Sequence, residues 1–157
     1  MMMNATKPGS GKHVIQSGLL DRSEAMVSFL KDQKFLKELS KGVQSMKTFV
    51  YPSVLQKQAI PALKKGAARN VIIRYRELNG IKLTVMLPML HNQIKYAILE
   101  QAKKLENPST DDDKVVVSLI LCHSQMRTAA QVEFARELTA FCSEIVEIVN
   151  FDELTIE

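Results

Sequence analysis

From Asp21 onward apolar residues fall at helical spacing: Met26, Phe29 and Leu30, then Phe35, Leu36, Leu39 and Val43. This pattern predicts a helical stretch that Asp21 or Ser23 caps and that Gly42 ends or bends. Pro52 suits the first turn of a second helix. Val54, Leu55, Ala59, Ile60 and Leu63 share one side of it, Pro61 crowds its last turn and Gly66 is its stop. The run NVIIRY at 70–75 predicts a strand, followed by a polar turn with Asn79 and Gly80. A long apolar helix is expected from about Leu83 to Leu105, bent or restarted near Pro88.

The stretch NPSTDDDK at 107–114 reads as an exposed loop, its three aspartates a solubilising charge run. VVVSLILC at 115–122 is apolar on both alternating faces, as a central strand covered on both sides would be. A helix from Met126 to Phe141 follows, then EIVEIV at 144–149 as a further strand. Strands and helices alternating in this way predict a parallel, right-handed α/β sheet. Residues 1–20, with little apolar periodicity, read as a flexible leader, and 21–157 as one domain. The GSGK at 9–12 is not a phosphate loop: no glycine stands five positions before Gly11, and His13 occupies the hydroxyl position.

Composition narrows the classes. The 157 residues carry a formal charge of +4, which permits contact with an anionic polymer without requiring it. Cys122 and Cys142 are the two cysteines, without CxxC or paired-histidine spacing, so neither a disulfide framework nor a zinc site is expected. No apolar run reaches the roughly 18 residues of a membrane span, and a cytoplasmic protein with reduced thiols is expected.

The stretch FVYPSVLQKQAIP at 49–61, with Phe29 upstream of Gln56, resembles the Q motif that opens DEAD-box RNA helicases. The resemblance extends through GAARNVI at 66–72, LPML at 87–90 and SLILCHSQMRTAAQVEFA at 118–135, the last being similar to the family's RNA-contacting motif Ia. It covers roughly residues 28–150 and implies a three-layer RecA-like α/β domain, similar to P-loop NTPases but incomplete, ending before the acidic motif and the second RecA-like domain. It also implies an adenine site at Phe29, Pro52 and Gln56, where an amide reads the base edge and an aromatic ring stacks on it.

The phosphate loop departs from the family. Tyr75, Arg76, Glu77, Leu78, Asn79, Gly80, Ile81 and Lys82 occupy its eight positions, with Ile81 in the lysine slot and Lys82 in the slot for the magnesium-binding hydroxyl. A cradle needs glycines that turn successive N–H groups inward and a lysine that reaches the outer phosphates. Glu77, Asn79, Gly80, Ile81 and Lys82 therefore form a degenerate loop, and a one-residue shift rotates Lys82 by about 100° from the required direction. A plain strand-to-helix turn is favoured.

No catalytic or metal-binding residue is expected, nor a cofactor. Ser124, Gln125 and Arg127 are the candidate RNA contacts, at a helix start suited to phosphate. The loss of the loop with the frame kept is similar to the helicase-like regions of Yb-type Tudor-domain proteins of the piRNA pathway. The expectation is a pseudoenzyme for RNA binding or ribonucleoprotein assembly, with RNA and protein partners. Two alternatives stand beside it: an ATP- and magnesium-dependent helicase domain with residual ATPase activity, completed by a second RecA-like domain, and a pure protein-interaction module.

Overall fold

The computed structural model describes residues 12–16, 20–65, 70–74, 80–106, 120 and 124–150. In chain order the elements are β1 (Lys12–Gln16), α1 (Met26–Asp32), α2 (Lys37–Ser45), α3 (Val54–Lys64), β2 (Asn70–Arg74), α4 (Ile81–Glu106) and α5 (Gln125–Leu138). Among them no helix is long and apolar enough to cross a membrane.

Helix α4 is the axis of the core. Its Leu83, Met86, Leu87, Leu90 and Ile94 recur at helical spacing and are buried, which supplies the tertiary burial that stabilises most helices in proteins. Against them pack Met26, Phe29 and Leu30 of α1, Leu39 and Val43 of α2, and Ala135 and Leu138 of α5. A second, smaller cluster joins Leu55 and Ala59 of α3 to Val71 and Ile73 of β2 and to Ile81. Helix α3 thus lies between α4 and the strands. Pro88 does not interrupt α4, which is continuous from Ile81 to Glu106.

The three-layer parallel sheet expected from the sequence is not seen among the described residues, which are mostly helical. Their strands make one two-stranded ribbon, β1 parallel to β2, in register from Lys12 opposite Asn70 to Gln16 opposite Arg74. A parallel pair needs a long crossover, and α1 to α3 provide it. Strand β1 lies inside the segment expected to be a flexible leader. The strand expected at 115–122 lies outside the described residues except for Ile120, which is exposed and in no regular element.

The strand expected at 144–149 is overturned. The amides of Ile145 and Val146 donate to the Cys142 carbonyl at 3.0 and 3.2 Å, forming a turn. Beyond it Val146 and Ile148 pack on the core while Glu147 and Val149 face outward. The alternation is therefore real, but it reports one-sided burial of an extended segment, and no ladder partner accompanies it among the described residues.

Three helix boundaries also differ. Helix α1 starts at Met26, whose amide donates to the Val50 carbonyl at 2.9 Å; Asp21 instead accepts from the Ser23 amide, holding a turn before the helix. The first apolar stretch splits at 33–36, where Lys34 takes a left-handed φ of 53°. Gly42 then sits inside α2, and a Cβ there would stand 2.1 Å from the Leu138 carbonyl oxygen. It is a close-approach residue that lets α2 meet the end of α5.

Candidate functional site

The start of α3 and the start of α4 meet at one buried polar junction. Ser53 is the N-cap of α3: its hydroxyl accepts from the Gln56 amide at 3.1 Å, and its own amide donates to Gln56 Oε1 at 2.8 Å. This reciprocal pair is a capping box, which satisfies two of the free donors of a helix start. The other end of the Gln56 side chain, Nε2, donates to the Gly80 carbonyl at 3.3 Å. Neighbours fix the amide's orientation, because an N–H faces one end and a carbonyl the other.

Gly80 receives three donors. Besides Gln56, the Thr84 amide and hydroxyl donate to its carbonyl at 3.1 and 2.9 Å. Its φ is +69°, in the left-handed region, and a Cβ would lie 2.5 Å from Gln56 Nε2. Glycine is thus required twice, by the backbone and by the closeness of the glutamine.

Lys82 is also engaged. Its ammonium donates to the Ala130 carbonyl of α5 at 3.3 Å and stands 5.9 Å from the Phe134 ring centroid, the outer range of a cation–π contact. Lys82 therefore ties the first turn of α4 to α5. Ile81 packs on the smaller apolar cluster with Leu55 and Ala59.

Of the residues expected to read adenine, Gln56 is 2% exposed with both amide atoms bonded, Pro52 is buried just before the Ser53 cap, and Phe29 packs inside the main core. The Pro52 carbonyl accepts from Asp21 at 2.8 Å, so Pro52 precedes α3 rather than occupying its first turn. Glu77 and Asn79 lie outside the described residues. The structure joins Gln56 to Gly80 and Thr84, and leaves Phe29 facing another way, into the core.

The α5 start is the open part of the region. Ser124, in extended backbone, accepts from the Arg127 amide at 3.4 Å and its carbonyl accepts from the Thr128 hydroxyl at 3.1 Å. Ser124, Gln125, Met126 and Arg127 are all exposed, Met126 by 81%, and no acidic side chain stands in the first turn. A helix N-terminus with a basic residue and amide donors suits an anionic oxygen. Among the described residues, no group of three His, Cys, Asp or Glu side chains could hold a metal ion.

His91, which no motif singled out, is buried in α4. Its Nδ1 accepts from the Leu36 amide at 3.3 Å and its ring meets Phe35 edge-on, centroids 5.0 Å apart. Burial, reinforced by Lys64 and Lys95, pushes its pKa down to about 4. The signal available in the sequence was its place on the apolar stripe of α4, between Leu90 and Ile94. The capping box was legible too, as Ser-x-x-Gln ahead of an apolar run.

Compared with known protein families, with curated proteins and with solved structures, the chain matches none.

Proposed function

We propose that this chain is a non-catalytic module that binds RNA, or helps assemble a ribonucleoprotein, through the exposed start of α5. The observation that carries the proposal is the engagement, within the protein, of the amide expected to read adenine and of the lysine beside the degenerate loop. Gln56 holds the Ser53 amide and the Gly80 carbonyl, and Lys82 holds α5. The Q-motif-like stretch then serves as a structural clasp between α3 and α4. Ser124, Gln125 and Arg127 remain on the surface in a geometry that suits backbone phosphate. None of this requires a RecA-like sheet.

Retention of single-stranded RNA as salt rises tests the proposal. Binding driven by phosphate contacts weakens steeply with salt, and Arg127→Glu weakens it at every salt concentration. Unchanged affinity in Arg127→Glu removes the α5 start from consideration. Calorimetry with ATP and magnesium tests the non-catalytic half: micromolar binding abolished by Gln56→Ala would overturn it.

A further inference from the structure

Three cations converge where the turn between α1 and α2 meets α3 and α4. Lys64, on the last turn of α3, places its ammonium 4.8 Å from the Phe35 ring centroid and donates to the carbonyls of Gln33 and Lys34, the latter at 3.1 Å. Those bonds bring the Lys34 backbone beside the Lys64 ammonium. Lys95 stands one turn beyond His91 on α4, and the ring of His91 meets the same Phe35 ring edge-on, centroids 5.0 Å apart. Lys34 and Lys95 are exposed.

The crowding has an electrostatic consequence. Partial burial lowers the Lys64 pKa from the ordinary lysine value, and the charges of Lys95 and Lys34 lower it further. No carboxylate among the described residues pairs with any of the three. The ion pairs there join Lys57 to Asp21 and Glu24, and Lys103 to Glu100. Asp32, the nearest acid in sequence, is exposed and belongs to none of them.

We propose that Lys34, Lys64 and Lys95 form a phosphate-contact surface for single-stranded RNA, separate from the start of α5. The inference rests on the RNA-binding function proposed above and adds a second set of contacts to it. Lys64 is held by two carbonyls, so its charge is fixed in place before any ligand arrives. Lys34 and Lys95 are exposed beside it and have no carboxylate partner among the described residues. An anionic oxygen between them relieves mutual repulsion, and lysine needs no bidentate geometry to contact a phosphate.

The test compares the full chain with K34E/K95E, K34R/K95R and R127E in single-stranded RNA retention between low and moderate salt. K34E/K95E is expected to lose about tenfold in affinity and to flatten the slope of log K against log salt by about 1.4, near 0.7 for each lost contact. K34R/K95R, which keeps both charges, retains wild-type affinity and slope. Both positions are exposed, so an unchanged thermal midpoint confirms folding; if it shifts, K34Q/K95Q replaces the reversal and shows a smaller loss in the same direction. Wild-type behaviour in the reversed or neutralised variant, with loss in R127E, overturns this surface and leaves RNA binding at α5. Loss in the lysine variants with R127E unchanged supports the surface and overturns the α5 contact. An absence of RNA retention by the wild-type chain overturns both.

Discussion

Removing the Gln56 side chain distinguishes a clasp from a nucleotide-reading group. In Gln56→Ala the Ser53 amide, buried with its residue 3% exposed, loses the acceptor now at 2.8 Å. A buried donor left unmade costs about 1–3 kcal/mol, and a weakened helix cap typically costs about 1 kcal/mol. The Gly80 carbonyl still has both Thr84 donors, so that end adds little. Both figures describe the one lost bond, because the Ser53 hydroxyl still accepts from the residue-56 amide, so the expected loss is about 1–3 kcal/mol, against the 5–15 kcal/mol typical of a domain. In urea this moves the unfolding midpoint down by about 0.5–1.5 M at a slope of about 2 kcal/mol/M. Gln56→Glu sharpens the trial. One oxygen keeps the Ser53 bond, while the other meets the Gly80 carbonyl and can approach it only as a protonated hydroxyl. The folded pKa of that carboxyl is therefore raised above its unfolded value of about 4.3. The folded state then binds the proton more tightly, so the variant is closest to wild type below about pH 4 and loses stability as pH rises through the raised value. Far-ultraviolet circular dichroism at pH 4 and 7 reads both effects. A Gln56→Ala midpoint within about 0.5 kcal/mol of wild type, or a pH-independent offset for Gln56→Glu, would refute the clasp.

Gly42→Ala sets two effects of opposite sign against each other. Alanine in a helix interior gains about 1 kcal/mol over glycine, but here the new methyl would meet Leu138 backbone atoms at 2.1, 2.9 and 3.2 Å. Overpacking against backbone costs about 1–3 kcal/mol or more, so thermal melts should show net destabilisation, and a raised midpoint would show that α2 and α5 do not touch there. His91 contributes a pH dependence. Its folded pKa of about 4 lies below the unfolded value near 6.5, so the unfolded chain takes up the proton first. Its contribution is complete above pH 6.5 and is lost as pH falls towards 4, by up to about 3 kcal/mol at about 1.4 kcal/mol per pH unit. His91→Gln should flatten that part of the stability profile, and an unchanged profile would remove His91 as its source.

How legible the molecule was depends on what each signal reports. NVIIRY gave β2 and the apolar stripe after Gly80 gave α4, because a β-branched run and a long one-faced helix are local patterns. The Ser53–Gln56 pair was equally local, yet the same letters also fit a nucleotide motif, and spacing cannot tell an amide that faces a ligand from one that faces a carbonyl 24 residues away. EIVEIV has the alternation of a strand but turns on the Cys142 carbonyl instead. Period two shows which side chains are buried, and a strand also needs a partner backbone.

What the sequence determined by itself was the set of apolar faces, the helix start near Ser124, and the turn at Gly80, all fixed by residues within a few places of one another. Only the tertiary structure decided the rest: that α1, α2 and α5 pack against the buried stripe of α4, that Gln56 closes onto Gly80, that Gly42 admits Leu138, and that Lys64 reaches the carbonyls of Gln33 and Lys34. Those outcomes depend on contacts between residues far apart in the chain, whose distances and directions no local pattern encodes.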